Sequence, residues 1–374
     1  MLALALTLAA AAPADQPALS AAVADLCPRG VAMLGEGANH GDGRADAFRV
    51  ALVRRLVDEC GYGAILFEAG YYDFYGFSRE FGRGNADPKL LGSAIGGLWN
   101  RSGDFQPLIP FLLDRMQAGR LTYISGIDDN LGSAGAFYSL DAMPKELAAY
   151  LPVGRRAECE MRMRRRIRWE YPASQPYDRA ERLRVTRCLV EIRHRLPSDE
   201  IAVRHLVDNF RRFAARDFLD DAAAGGARDA TMYWNFRWIA RRLPKGTKVI
   251  VWAATVHLAK DARADPAFPE GGNFGSLLHR DYGERAFVLG FSALTGSVRQ
   301  GRREIAVPPA PPGSIETLAL NGPGEAAYMG PRALAAIGPV PGAIFRHHYV
   351  TARWADAVDG LVVFREERPP LPSS

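Results

Sequence analysis

Acids and histidines recur directly after short apolar runs in this sequence. Val31 to Leu34 leads into Glu36, with His40 four residues further on, in GEGANHG. Ala64 to Phe67 leads into Glu68 in FEAG, LTYISGIDDN carries Asp128 and Asp129, and TKVIVWAATVH ends on His257. Histidine, with an unperturbed pKa of about 6.5, suits a base working near neutrality. A carboxylate beside an imidazole orients it and stabilises its protonated form. Such groups on one rim suit general acid–base chemistry, with a histidine as base and a carboxylate orienting it. No Gly-x-Ser-x-Gly elbow occurs, which disfavours a serine nucleophile. Two glutamates and two histidines would also suit a divalent ion. Zinc sites usually draw closely spaced ligands from one element, a pattern missing here, so neither a metal nor a cofactor is expected.

Each of these residues has a competing structural role. Glu36 could be a carboxylate drawn to a helix N-terminus, and His40 a plain surface residue of a glycine-rich loop. Glu68, directly behind a buried strand, is costly unless paired, and Arg49 or Arg44 is a candidate partner. Asp128 or Asp129 could start a turn, and His257 could cap its strand. Asp128 and Arg49 are also the candidates for binding substrate.

The elements that would position these groups alternate. Val31–Leu34 is a short run closed by Gly35, as in a strand buried on both faces. Phe48, Leu52, Val53, Leu56 and Val57 then recur at helical spacing before Gly61, a natural C-cap. A strand at Ala64–Phe67 completes a strand–helix–strand unit, for which a right-handed parallel crossover is expected. A helix around Phe105–Ala118, the strand LTYISGID, the helix ATMYWNFRWIARRL, the strand TKVIVWAATVH and strands at AFVLGFS and GLVVFRE continue the pattern. The fold class is therefore α/β, a mostly parallel sheet flanked by helices. In such sheets ligands bind beyond the carboxyl ends of the strands, where these acids and histidines fall.

From about 141 to 226 the texture changes to arginine-rich helical segments, CEMRMRRRIRWEY and RAERLRVTRCLVEIRHRL. Met161, Ile167, Leu183, Leu189 and Ile192 are the expected buried stripe. The stretch reads as an inserted helical subdomain packed over the sheet. Glutamates and aspartates interleave with its arginines and can form i,i+4 pairs, so a solvated face is expected rather than a nucleic-acid surface. It could also wall the cleft and favour an anionic substrate.

The strings LGEGANHG, FEAG, RDATMYWN, VIVWAATVHLAK, YGERAFVLGFSALTG and DAVDGLVVF, in this order from Leu19 to Phe364, resemble the erythromycin esterase family. That resemblance implies a deep cleft lined by a first-loop glutamate and histidine, a glutamate after the second strand and a histidine pair near the fourth. It makes the first-loop histidine the base that activates water to open a lactone. On this sequence those positions are Glu36, His40, Glu68 and His257. Two departures stand out. The family's first-loop histidine usually lies three residues after the glutamate, and here it lies four after. Where the family has Trp-Ala-His-Asn, this chain reads Trp252, Ala253, Ala254, Thr255, so one histidine of the pair is missing.

With 374 residues, 48% hydrophobic and 24% charged, the composition is that of a globular protein, and its net charge of +5 is mildly basic. Residues 1–14 resemble a short secretory signal without a basic n-region, followed by one α/β domain at 15–374. No run approaches the roughly 20 apolar residues of a spanning helix. A periplasmic or secreted hydrolase acting on a small ester or lactone is expected, its oligomeric state open. Cys27, Cys60, Cys159 and Cys188 form no CxxC pair. Export would permit Cys27–Cys60 and Cys159–Cys188 bridges, and buried free thiols are the alternative.

Overall fold

The computed structural model describes residues 15–373 apart from 132–136, 269 and 271, so the candidate signal segment at 1–14 lies outside the described residues. Helix α1 (Gln16–Leu26) precedes β1 (Val31–Leu34), α2 (Gly43–Cys60) and β2 (Tyr62–Gly70). Next come α3 (Tyr71–Gly82), α4 (Pro88–Ile95), α5 (Leu108–Gln117) and β3 (Tyr123–Asp128). Five helices follow: α6 (Met143–Ala148), α7 (Val153–Arg168), α8 (Arg179–Arg195), α9 (Ile201–Arg216) and α10 (Asp221–Ala240). The chain then forms β4 (Lys248–Trp252), the one-turn α11 (Thr255–Leu258), α12 (Phe274–Tyr282), β5 (Ala286–Gln300) and β6 (Arg303–Val307). It closes with α13 (Ile315–Ala319), β7 (Ala326–Met329), α14 (Pro331–Ala335), β8 (Val340–Gly342), β9 (Val350–Ala352), α15 (Trp354–Ala357) and β10 (Gly360–Glu367).

Eight strands form one mixed sheet in the order β3-β2-β4-β1-β5-β10-β7, with β6 pairing β5. β1 runs parallel to both β4 and β5, with Leu34 opposite Trp252 on one side and Leu289 on the other. All four β1 side chains are buried, as expected of a strand covered on both faces. β5 runs parallel to β10, whereas β6 and β7 are antiparallel additions. The fold is thus the expected α/β class with an antiparallel margin. His257, expected at a strand end, lies one turn further on in α11.

The described chain divides into two compact units. The first holds residues up to Leu66, Leu98–Ile124 and Arg241–Ser374, and the second holds Phe67–Gly97 and Ser125–Ala240. In the first, α2 packs its apolar face on the sheet, Phe48 meeting the rings of Phe291 and Phe364 edge-on at 5.7 and 5.8 Å. Gly61, at φ 70°, ends this helix in the left-handed region, where glycine carries no steric cost. Cys27 and Cys60 form a disulfide that ties the end of α1 to the end of α2.

The second unit is helical around its own core. Tyr72, Leu147, Cys159, Met163, Val185, Cys188, Leu189, Leu206 and Phe210 are among its buried residues. Ile167, Leu189 and Ile192 join that core as expected, but Met161 and Leu183 are 42% and 39% exposed. The buried stripe of α7 is Cys159, Met163 and Ile167 at i,i+4 spacing, and the Cys159–Cys188 disulfide turns this face toward α8. The arginines of these helices meet acids, including the i,i+4 pairs Arg162–Glu158 at 3.0 Å and Arg164–Glu160 at 3.0 Å. Arg166 is largely buried, paired with Asp217 at 2.7 Å and stacked over Phe213. Among the described residues, no helix is long and apolar enough to cross a membrane.

Candidate active site

The loop from β1 to α2 carries Glu36 and His40 and is fixed at almost every residue. Gly35 N–H donates to Leu289 O on β5, Ala38 N–H to Phe345 O, and Gly41 O accepts from Arg299 N–H. Glycine is needed here for space. A Cβ at Gly41 would lie 1.9 Å from Arg299 O, and one at Gly37 would lie 2.5 Å from His347 Nε2. His40, four residues after Glu36, takes a left-handed backbone at φ 52°. Its imidazole still reaches the glutamate, Nδ1 lying 2.9 Å from Glu36 Oε1.

Glu36 has no exposed surface and is surrounded by donors. Oε1 accepts from His40 Nδ1–H and from Trp99 Nε1–H at 2.9 Å, and Oε2 accepts from Arg49 Nη2 at 2.5 Å. A buried carboxylate is tolerable when several donors share its charge. Its role as a helix-start anion is thereby excluded, since its oxygens are turned to side chains. With Glu36 accepting at Nδ1, the hydrogen of a neutral imidazole sits on that nitrogen and the lone pair on Nε2. The edge of the Trp99 ring packs on the His40 ring at a centroid distance of 5.4 Å.

Arg49, one of the expected substrate contacts, has no exposed surface. The same Nη2 that holds Glu36 also donates to Asp46 Oδ1 at 2.6 Å, and the guanidinium stacks 3.8 Å above Trp252. Its Nη2 is turned inward, to Glu36 and Asp46. Asp46 completes the network by accepting from Ser102 Oγ at 3.0 Å. Burial pushes the Asp46 carboxyl up to about 7, with Arg49 pulling it down and the charge on Glu36 adding to the rise. One guanidinium thus serves two carboxylates, and the one further from the imidazole holds a proton near neutrality.

His257 is 9% exposed on α11, edge-on to Phe268 at 5.6 Å. Asn273 holds the turn by donating to the carbonyls of Val256, His257 and Ala259. The loop after β4 is tied to the first loop through Thr255 N–H donating to Glu36 O at 2.8 Å. Ala254, between them, is 1% exposed.

Glu68 and Asp128 lie in the second unit, where Arg228 on α10 pairs with both, Nη2 reaching Glu68 Oε1 at 2.7 Å and Asp128 Oδ2 at 2.5 Å. Burial acts against the Asp128 charge, but Arg228 outweighs it and its pKa ends below the usual value. Asp128 also starts a turn, accepting from Asn130 N–H at 3.1 Å. Asp129 pairs with Arg216 at 2.6 Å, and burial raises its carboxyl to about 7. Asp46, Trp99, Ser102 and Arg228 were not singled out in the sequence. Only Asp46 had a local signal, its i,i+3 spacing to Arg49.

Residues 57–367 match the family described as erythromycin esterase, more than four-fifths of the sequence. The chain belongs to the erythromycin esterase family, which supports a hydrolase. Glu68, Asp128 and His257 fall within the matched residues, and Glu36, His40 and Arg49 precede them. Three solved structures share the fold. A succinoglycan biosynthesis protein is 16% identical, covering 94% of this chain and 91% of its own, with a TM-score of 0.73. A protein from Bacillus cereus is 15% identical, covering 99% and 96%, with a TM-score of 0.72. A histidine-to-asparagine variant of the erythromycin esterase EreC in its open conformation is 16% identical, covering 95% and 94%, with a TM-score of 0.64.

Proposed function

We propose that this chain hydrolyses a carboxylic ester or lactone with water activated by His40. The observation that carries the reading is the buried Glu36 carboxylate at 2.9 Å from His40 Nδ1. It holds the imidazole in the tautomer a base needs, lone pair on Nε2. Water gives its proton to Nε2 as its oxygen bonds to the acyl carbon, and the carbonyl π electrons move to oxygen. Collapse of that oxyanion breaks the acyl C–O bond, and the imidazolium returns the proton to the leaving alkoxide. The products are a carboxylic acid and an alcohol, joined in one molecule when the substrate is a lactone. His257 is assigned to the oxyanion.

Family membership supports a small-molecule substrate, and a small ester is the proposed class, with macrolide lactones among the candidates. The buried methyl of Ala254, at the position where the resemblance implies a histidine, favours a second reading. In it the chain keeps the binding cleft but turns over slowly or not at all. The two disulfides support an exported protein, because such bonds persist in oxidising compartments.

Purified wild-type protein and His40→Ala are compared on a panel of simple esters and macrolactones, with and without chelator. The expected result is turnover that survives chelation and falls by about 10²–10⁴ in His40→Ala, the range of general-base catalysis. Turnover lost to chelator would replace this mechanism with a metal-dependent one on the same residues. A folded wild type that binds members of the panel without cleaving them would establish the binding protein.

A further inference from the structure

The first unit contains a second histidine–carboxylate pair, and it bears directly on the loop that holds the first. His347, in the segment before β9, donates from Nε2 to Asp42 Oδ1 at 2.5 Å. Asp42 is the N-cap residue of α2, and its carbonyl accepts from Asp46 N–H at 2.8 Å. Both side chains are buried, at 7% and 3% exposure. The pair lies against the backbone of Gly37, where a Cβ would be 2.5 Å from His347 Nε2 and 2.8 Å from Asp42 Oδ2. One residue on, Ala38 N–H donates to Phe345 O, two residues before His347. The loop bearing Glu36 and His40 is therefore pinned twice to the 343–347 segment. That segment is itself anchored, Ala343 N–H donating to the buried carboxylate of Glu316 at 2.8 Å.

His347 and His40 share an uncommon backbone, φ 55° and 52°, a region that residues with a Cβ enter only when their surroundings hold them there. For His347 the holding contact is Asp42.

We propose that His347, through Asp42, is a positioning residue that sets the register of the Glu36–His40 loop and so the aim of the His40 imidazole. The charged groups facing this pair come from four elements. They are Arg49 on α2, His40 in the loop, Glu367 on β10 and Glu316 on α13. Burial opposes the imidazolium, but Asp42 outweighs it and the pKa of His347 ends above its ordinary value. Asp42 correspondingly ends below its own, against burial, through His347 and then Arg49 and His40. Each partner thus favours the charged form of the other.

The inference rests on the assignment of His40 as base, and its test includes a readout that needs no substrate. Imidazole nitrogen NMR follows His40 across pH in wild type, His347→Gln and Asp42→Asn. In wild type His40 is expected as the Nδ1-protonated tautomer, with a second inflection where His347 titrates. Both variants are expected to shift His40 toward mixed tautomers and to lower kcat at least tenfold at nearly constant KM. A His40 spectrum unchanged in a folded variant would overturn the inference. If neither variant folds, a single-inflection His40 curve in wild type would overturn it as well. Turnover that survives His40→Ala while the NMR coupling holds would remove His40 as base and leave the positioning role standing.

Discussion

A guanidinium shared between two carboxylates sets the electrostatics around Glu36. Arg49 cannot neutralise both Glu36 and Asp46, and the donors on Glu36, His40 and Trp99 as well as Arg49, leave Asp46 as the one to take a proton. Its folded pKa of about 7 lies above the ordinary value of 3.8. A carboxyl raised on folding favours the folded state below its unfolded pKa, and that stability is lost as pH rises through the folded value. Asp46→Asn is therefore expected to flatten the loss of stability between about pH 4 and 7, read by urea unfolding across pH. An unfolding curve with the wild-type slope in that window would show that Asp46 is ionised throughout. The same residues show how much of the site was legible. Glu36, His40, Glu68 and Asp128 could be read because a polar residue at the end of a buried apolar run, or in the loop after it, needs a reason. Arg228 could not, since its meeting with Glu68 spans 160 positions and no local pattern encodes it. Trp99 sits in a loop whose sequence has no period, and only the fold brings its indole to Glu36.

At the scale of elements, the glycine-rich loop is a spacer whose tolerances are set by its neighbours. Gly37 has no room for a methyl group between His347 and Asp42. Gly37→Ala is expected to cost about 1–3 kcal/mol, the range for overpacking a filled site. Chemical unfolding measures the loss, and an unchanged midpoint would mean that the His347 ring swings aside freely. The strands were readable where apolar runs were short and bounded, as at β1 and β4. β5 was foreseen only as AFVLGFS, yet it runs 15 residues and turns back into β6 through Gly301, at φ 61°. The signal was present in a glycine between two alternating stretches, a hairpin pattern that the parallel reading left aside. On α7 and α8 helical spacing was read correctly but the face was misplaced at Met161 and Leu183. Cys159 and Cys188 choose the inward side, and pairing between them is not encoded by periodicity.

For the molecule as a whole, stability is invested separately in each unit. Cys27–Cys60 closes 33 residues within the first, and Cys159–Cys188 closes 29 within the second. On loop-closure entropy each is worth about 3–4 kcal/mol. Replacing Cys159 and Cys188 together by serine is expected to speed amide hydrogen exchange in α7, α8 and α9 and leave β1, β4 and β5 protected. Equal acceleration in the sheet would show that both units open as one. The α/β class was legible because strands and helices alternate visibly along the chain. The division into two units was not, because each is assembled from separated stretches of sequence.

That interleaving orders the protein's birth. β1 is made within the first tenth of the chain, yet both its partners arrive more than 200 residues later, at β4 and β5. Through most of synthesis the strand ahead of Glu36 has no edge to join. The α7–α8 hairpin needs only neighbouring sequence and can seal its disulfide while the rest is still emerging. The nascent chain therefore carries a closed α7–α8 hairpin before the loop of Glu36 and His40 has anything to lean on. That loop is fully held only once Phe345 and His347 have emerged.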